Sequence, residues 1–179
     1  MDIQIRKALP ADLDVLMDIF EVARRFMQAT GNPNQWINGY PGRELMEREV
    51  EAGHCFVCID DRQEIIGTFC FILGEDPTYA YIEDGSWPDQ EPYGVIHRLA
   101  SRGTCPGVAE ACVRWCAGQG VHLRADTHAD NRVMQHILEK PVFQEMIENG
   151  TFEQVALPVE KILKFKNPGA CFMLSKFFF

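Results

Sequence analysis

The stretch from Val95 to Ala109 combines residue types that suit phosphate binding. An apolar strand ends in a loop with two glycines, Gly103 and Gly107, and this loop leads directly into a predicted helix over Glu110–Ala117. The free N–H groups at the start of a helix and the positive end of its dipole attract phosphate or pyrophosphate. Glycine lets such a ligand approach the backbone closely because it has no Cβ. The pattern therefore predicts a phosphate-binding loop.

The predicted strand before this loop, Tyr93–Ser101, carries groups that can move protons. In a regular strand, Tyr93, Val95, His97 and Leu99 share one face. Of these four, His97 titrates near neutrality, which suits general acid or base chemistry. A core histidine bonded to a backbone carbonyl is the alternative.

The long connection Gly74–Pro92 mixes acidic and aromatic residues. Carboxylates and aromatic faces both attract ammonium groups, so the mixture favours a pocket for a cationic ligand. A solvated surface loop is the alternative, although loops of this length are often functional. The residues concerned are Glu83, Asp84, Tyr79, Tyr81 and Trp87.

Hydrophobic periodicity predicts strands and helices in the order β-α-α-β-β-β-α-β-α, followed by a tail. A strand–helix–strand unit over Tyr93–Ala125 requires a parallel pair, and the hairpin before it adds antiparallel strands. We therefore predict an α/β (α+β) fold with a mixed, mostly antiparallel central sheet flanked by helices. The predicted elements are a strand around Ile3 and Ile5, a helix from Pro10 to Gly31, a helix over Glu44–Glu51, strands over Cys55–Ile59, Ile65–Leu73 and Tyr93–Ser101, a helix over Glu110–Ala117, a strand over Val121–Ala125, a helix over Asn131–Lys140, and tail strands near Phe152–Leu157 and Cys171–Leu174.

Length, charge and hydropathy restrict the function. The 179 residues, 46% of them hydrophobic, predict one domain over 1–179. A net charge of −9 argues against a nucleic-acid partner and suits a cationic acceptor such as an amine. Neither a signal peptide nor a run of about 20 apolar residues is present, so we expect a cytoplasmic protein without a membrane partner.

The seven cysteines predict neither a metal site nor redox chemistry. Cys55 and Cys58 have C-x-x-C spacing, but they lie in one apolar strand, where residues three apart point to opposite faces. Buried thiols in a reducing compartment are the expected interpretation. Cys105, in the glycine loop, is a candidate reactive thiol, since a helix N-terminus lowers a thiol pKa.

The order of elements, the glycine loop and the segment Asp126-Thr127-His128-Ala129-Asp130-Asn131 together resemble the GNAT acetyltransferase family. The family loop is Gln/Arg-x-x-Gly-x-Gly/Ala. Gly107 and Ala109 match its last two fixed positions, whereas Thr104 replaces the usual Gln or Arg. The resemblance extends over roughly residues 3–140, and residues 141–179 are predicted as atypical C-terminal strands.

The resemblance implies that acetyl-CoA binds between the central strand and the Val121–Ala125 strand. Strand backbone then pairs with the pantetheine arm, the loop N–H groups face the pyrophosphate, and Arg102 adds a mobile positive charge. Asn131 either bonds the pantetheine arm or caps the following helix. The predicted cofactor-binding residues are Leu99, Ala100, Ser101, Arg102, Gly107, Val108, Ala109 and Asn131.

The resemblance also implies N-acetyl transfer from acetyl-CoA to a primary amine of a small molecule or a peptide. By family position, the His97 face of the central strand reaches the acetyl group, so His97 and Tyr93 are the candidate catalytic residues on it. Glu83 and Asp84 are the rival bases. Trp36 and Tyr40 occupy a region that lines the acceptor site in the family, with ordinary packing as the alternative.

One departure from the family concerns the proton donor. Many members carry a general-acid Tyr where this chain has Leu138, so water or His128 has to supply the proton, or the thiolate leaves unaided. The alternative function is an inactive CoA-binding or interaction module with the same fold. A homodimer is an open alternative to a monomer.

Overall fold

The computed structural model describes residues 2–77, 91–128, 130–140, 152–156 and 174–175. The elements follow the predicted order, and most bounds agree with the prediction to within two residues. The strands are β1 (Gln4–Lys7), β2 (Cys55–Ile59), β3 (Ile65–Leu73), β4 (Tyr93–Ser101), β5 (His122–Ala125), β6 (Phe152–Ala156) and β7 (Leu174–Ser175). The helices are α1 (Leu13–Ala29), α2 (Arg43–Glu51), α3 (Val108–Ala117) and α4 (Arg132–Leu138).

The seven strands lie side by side in chain order. β1 to β4 are joined by antiparallel pairs, β4 pairs with β5 in parallel as the strand–helix–strand unit requires, and β5 pairs with β6 in parallel. β6 and β7 are antiparallel. The predicted mixed, mostly antiparallel sheet flanked by helices is therefore confirmed.

Two hydrophobic clusters cover the two faces of the sheet. One packs α1 and α2 against residues such as Cys55 and Val57, and the other packs α3 against Phe56 and Cys58. Because side chains alternate along β2, the two cysteines of the C-x-x-C pair lie in different clusters, as predicted. All six cysteines of the described residues are free thiols.

The alternation predicted for β4 breaks at Arg98. This residue has φ 52°, and the pairing with β3 shifts between Cys70–His97 and Thr68–Ala100, so β4 carries one extra residue. A bulge of this kind reverses the faces beyond it. Leu99 consequently packs with the α3 cluster, while Ala100 joins the α1 cluster. The prediction that Leu99 shares a face with His97 is wrong for this reason.

The two helices after the glycine loop lie within two residues of their predicted bounds. α3 starts at Val108, two residues earlier than predicted, because Gly107 in a left-handed conformation precedes its first turn. α4 is shorter than predicted, with Asn131 as its N-cap. In the described part of the chain no helix has both the length and the apolar composition needed to cross a bilayer.

Candidate active site

β4 and β5 separate where their parallel pairing ends. The last pair is Ile96–Ala125, whereas β4 runs on to Ser101 beside β3. A cavity of about 360 Å³ opens next to this end of β4, between α1, the glycine loop and α4. Its lining includes every residue predicted to bind the cofactor: Leu99, Ala100, Ser101, Arg102, Gly107, Val108, Ala109 and Asn131.

The glycine loop ends at the N-terminus of α3. Gly107 has φ 90°, a backbone conformation that residues with a side chain rarely adopt. No atom lies within 4 Å of the position that a Cβ at this residue would occupy. The first turn of a helix leaves its N–H groups without intrahelical partners. Those of Val108 and Ala109 therefore lie at an open position beside the cavity that both residues line. This arrangement suits a pyrophosphate.

Arg102 differs from its prediction, because it is held rather than mobile. Its Nε donates to the carbonyl of Ile65 at 3.0 Å, and its backbone N–H donates to the carbonyl of Ile66 at 2.8 Å. Its guanidinium is thereby tethered to the start of β3, at the edge of the cavity. A tethered cation loses less freedom when it meets an anion than a mobile one does.

Asn131 is a helix cap, which was one of its two predicted roles. Its Oδ1 accepts from the N–H of Met134 at 3.0 Å, and its Nδ2 donates to Gln35 Oε1 at 2.9 Å. Gln35 belongs to the segment between α1 and α2 and also accepts from Asn32 Nδ2 at 2.7 Å. The cap therefore joins the cavity wall to the α1–α2 connection.

Cys105 does not have the acidic thiol that its position suggested. Burial raises the pKa of the Cys105 thiol, with smaller contributions from Asp60 and Cys58. This direction is opposite to the one that a helix N-terminus was expected to produce.

His97 lies on β4 at the residue after the last parallel pair. Its exposed fraction is 8%, and its Nε2 lies 2.8 Å from Asp76 Oδ2. Its Nδ1 lies 4.0 Å from Asp126 Oδ1, just beyond the end of β5. Asp76 follows β3 and Asp126 follows β5, so two chain segments place carboxylates around one imidazole.

Tyr93 lies on β4 four residues before His97 and contacts the same group of polar side chains. Its hydroxyl accepts from the backbone N–H of Asp76 at 3.1 Å. Its ring lies 3.7 Å below the guanidinium carbon of buried Arg124, a close cation–π contact. Tyr93 thus bonds the backbone of Asp76 and covers the Arg124 cation.

The bulge residue Arg98 occupies the α1–α2 side of the sheet. Its Nε donates to the Tyr40 hydroxyl at 2.9 Å, and its Nη1 lies 3.2 Å from Glu49 Oε1. Burial lowers the pKa of Arg98, but Cys70, Tyr40 and Glu49 more than offset this and hold it above its ordinary value. Arg98 is therefore a permanent cation.

The aromatic residues between α1 and α2 form a packed chain. Trp36 contacts Phe20 edge to face at 5.7 Å and Tyr40 at 6.3 Å. The ordinary packing expected for Trp36 is thus present, while Tyr40 also receives the hydrogen bond from Arg98. Tyr40 therefore connects this aromatic wall to the strand that carries His97.

His128 is buried beyond the end of β5. Its Nδ1 accepts from the N–H of Asp130 at 3.1 Å, which assigns the ring proton of the neutral form to Nε2. Burial lowers the pKa of His128, although the Asp130 carboxylate acts in the opposite direction. His128 is therefore a neutral N–H donor at pH 7. Leu138 lies in α4, and a hydrocarbon side chain donates no proton.

Part of the sequence prediction falls outside the described residues. Glu83, Asp84, Tyr79, Tyr81 and Trp87 are all in this group. From the same long connection, the described residue that reaches His97 is Asp76, which the sequence analysis did not single out. The available signal was the acidic character of the connection, which does not distinguish one carboxylate from another. Among the residues the structure describes, His, Cys, Asp and Glu form no group of three suited to a metal ion.

Comparison with known proteins places the chain in a family. No family model and no curated protein matches the sequence. A crystal structure of a GNAT-family acetyltransferase from Streptococcus agalactiae 2603 is 32% identical, with a TM-score of 0.65 over 76% of this chain and 82% of that one. A GNAT-family acetyltransferase from Listeria monocytogenes 4b F2365 is 14% identical, with a TM-score of 0.61 over 96% and 92% of the two chains, and supports the fold. The chain belongs to the GNAT family of acetyltransferases.

Proposed function

We propose that this chain is an N-acetyltransferase that moves the acetyl group of acetyl-CoA to a primary amine of a small molecule or peptide. The observation that carries the proposal is the position of one cavity. It extends from the helix N-terminus at Gly107 along Leu99, Ala100 and Ser101, the part of β4 that runs beyond its last pair with β5. His97 lies on the same strand two residues before Leu99, outside this lining. A phosphate-bearing ligand with an extended arm fits this path from the loop along the end of β4.

In this proposal, different residues of the cavity bind different parts of acetyl-CoA. The N–H groups of Val108 and Ala109 face the pyrophosphate, and the tethered Arg102 guanidinium adds positive charge at the cavity edge. The backbone of Leu99 and Ser101 runs beyond the last pair with β5, so it can pair with the amides of a pantetheine arm as a further strand does. Asn131 supports this wall as the cap of α4.

Acetyl transfer requires the acceptor to lose protons. A primary ammonium gives one proton to a base, and its nitrogen lone pair then attacks the thioester carbonyl carbon. When the C–S bond breaks, its electron pair leaves on sulfur. The second nitrogen proton passes to this sulfur and gives the CoA thiol, either directly or through a donor that protonates the sulfur and takes up the nitrogen proton in exchange. We assign the base to His97 and the proton donor to His128 or water. Glu83 and Asp84 remain the rival bases.

Charge and a structural neighbour support an amine acceptor. The net charge of −9 and the carboxylates of Asp76 and Asp126 beside His97 favour a cation. The neighbour AAC(6')-Iy was crystallised with the bisubstrate analogue CoA-S-monomethyl-acetylneamine, at 17% identity and a TM-score of 0.50 over 78% and 88% of the two chains. This acceptor is a property of AAC(6')-Iy. In the proposed function, the residues around His97 determine which acceptor this chain binds.

The deciding experiment measures thiol release from acetyl-CoA against a panel of amines. The panel contains polyamines, aminoglycosides, amino acids and peptides with a free α-amine. Turnover with at least one amine supports the proposal, and mass spectrometry of the product identifies the acetylated nitrogen. Acetyl-CoA binding without turnover on any amine contradicts it and favours the inactive module, for which Leu138 at the usual general-acid position is the argument.

A further inference from the structure

Lys140 is a second cation at the cavity that we propose for acetyl-CoA. The charged residues of the described lining are Arg102, Glu110 and Lys140. Glu110 Oε1 accepts from Arg114 Nε at 3.0 Å, so its charge is balanced by a residue outside the lining. The two remaining charges are both positive, in a chain whose net charge is −9. Positive charge gathered at one cavity of an acidic protein indicates an anionic ligand.

The two cations lie on different elements. Arg102 follows β4 and is tethered to the Ile65 carbonyl, whereas Lys140 ends the last turn of α4, where its N–H donates to the Ile137 carbonyl at 3.1 Å. Val133, Ile137 and Lys140 are spaced by four and three residues, so they share one side of α4, and all three line the cavity. Lys140 is exposed, and its Nζ forms no ion pair with another described residue.

Phe26 adds an uncovered aromatic ring to the same cavity. Of the six exposed large apolar side chains of the described residues, three line it, namely Val22, Phe26 and Val133. The exposed fraction of Phe26 is 53%, and its ring contacts no other ring in the described part of the chain. Exposed apolar side chains that gather in one place mark a binding surface. An aromatic ring among them suits the flat face of a nucleotide base.

These two side chains match the part of acetyl-CoA that lies beyond the pyrophosphate. This part is a 3′-phosphoadenosine, which consists of adenine, ribose and a phosphate on the ribose. The proposed function assigns the N–H groups of Val108 and Ala109, together with Arg102, to the pyrophosphate. Lys140 is then the lining cation that remains for the third phosphate, and Phe26 is the one aromatic residue of the described lining.

We propose that Lys140 is a specificity-determining residue that binds the 3′-phosphate of acetyl-CoA, while the Phe26 ring contacts the adenine. The proposal rests on the proposed function for the identity of the ligand. The Lys140 ammonium donates charge-assisted hydrogen bonds to the phosphate oxygens, and no covalent bond forms or breaks. The chain therefore distinguishes CoA from carriers that have the same thiol arm and pyrophosphate but lack the 3′-phosphate.

The test of Lys140 measures dissociation constants by isothermal titration calorimetry for CoA and for 3′-dephospho-CoA, without an acceptor amine. Lys140→Gln should weaken CoA binding by about 10-fold, the effect of losing one charge-assisted hydrogen bond. It should bind 3′-dephospho-CoA as the wild type does, because the group that Lys140 contacts is missing from this ligand.

Arg132→Gln is the matched control, since it removes one positive charge from the exposed surface of α4 outside the lining. It should bind both ligands as the wild type does. Equal losses for CoA and 3′-dephospho-CoA in Lys140→Gln, or no loss for CoA, overturn the proposal. Equal losses of CoA binding in Lys140→Gln and Arg132→Gln also overturn it, because only the overall charge then attracts the ligand.

The test of Phe26 uses NMR of the CoA complex. We expect nuclear Overhauser effects between the Phe26 ring protons and the adenine H2 or H8. Phe26→Leu keeps an apolar side chain without the ring, and it should weaken CoA binding by about 5-fold, the lower end of the effect of base stacking. Nuclear Overhauser effects from Phe26 to the pantetheine methyl groups only, or none to CoA, overturn the adenine contact.

Turnover separates this proposal from the proposed function. If CoA binding depends on Lys140 as expected but no amine is acetylated, the proposed function fails and the 3′-phosphate site stands. If amines are acetylated while Lys140→Gln binds CoA as tightly as the wild type, the proposed function stands and Lys140 does not select the ligand.

Discussion

Gly67 on β3 lies so close to Val108, the first residue of α3, that a Cβ on the glycine would lie 2.6 Å from Val108 Cγ1 and 3.0 Å from the Ala100 carbonyl oxygen. The first turn of α3 therefore sits directly on the sheet. This contact sets the height above β4 of the N–H groups that we propose to bind the pyrophosphate. A glycine outside the cavity lining thus positions the loop that forms it.

Gly67→Ala should lower Tm and weaken acetyl-CoA binding together. The added methyl has no free space, and overpacking of this kind typically costs about 1–3 kcal/mol. Moving the first turn of α3 outward also moves the loop. Thermal unfolding with and without acetyl-CoA measures both effects.

Val108→Ala in the Gly67→Ala background removes the Cγ1 atom that the new methyl meets. We expect it to recover part of the lost Tm and of the acetyl-CoA-induced shift, as coupled neighbours do. Strictly additive losses in the double variant would show that the contact between these two residues does not position the loop.

Gly107→Glu should abolish the rise in Tm that we expect acetyl-CoA to cause, because the new carboxylate would stand where we propose that the pyrophosphate binds. Gly120→Glu is the matched control: it lies beyond the other end of α3, has φ 74° against φ 90°, and is equally open. Both variants add one negative charge at a glycine with positive φ. If the acetyl-CoA-induced rise in Tm survives in Gly107→Glu, or disappears in both variants, the loop is not part of the cofactor site.

The sequence predicted those structural features of the candidate site that depend on local pattern. Gly107 marked the loop because a left-handed glycine before a helix is a local requirement. His97 was proposed as the base from its chemistry and its strand position. The face of Leu99 was predicted wrongly, because the bulge at Arg98 depends on pairing with β3. The alternation rule assumes that no residue is inserted.

Long-range contacts account for the remaining differences. Asp76 reaches His97 across 21 residues, and nothing in the spacing of carboxylates distinguished it from others in the same connection. Arg102 looked mobile from sequence because its acceptor, the Ile65 carbonyl, lies 37 residues away. Asn131 was predictable as a cap since its partner, the Met134 N–H, is three residues on.

His97→Ala should lower kcat by about 10²-fold or more, the effect of removing a general base. The pH–rate profile should also lose the limb that the base produces. His136→Ala is the control, because His136 is exposed on α4 outside the cavity lining. Normal turnover in His97→Ala would transfer the role to Glu83, Asp84 or water.

His128 should make the free energy of unfolding depend on pH. Burial lowers the pKa of His128 in the folded chain below 6.5, so the unfolded chain binds the proton more readily. The contribution of His128 to the free energy of unfolding is then fully present above about pH 6.5. It is lost as the pH falls toward the lowered pKa of the folded state. Urea unfolding at several pH values measures the slope, which His128→Gln should reduce. An unchanged slope in this variant would mean that other groups cause the pH dependence.

If charge binds the acceptor, KM for the amine should depend on ionic strength and on the carboxylates of Glu83 and Asp84. Raising ionic strength should raise KM for the amine, since screening weakens attraction between exposed charges. Glu83→Gln with Asp84→Asn should raise KM for the amine more than KM for acetyl-CoA. The control, Asp61→Asn with Glu64→Gln, removes the same two charges from the exposed β2–β3 turn and so leaves the net charge equal. Equal effects of the two double variants would mean that only the overall charge of −9 attracts the acceptor. A neutral or anionic acceptor, insensitive to both changes, would contradict the assignment of this connection to the acceptor.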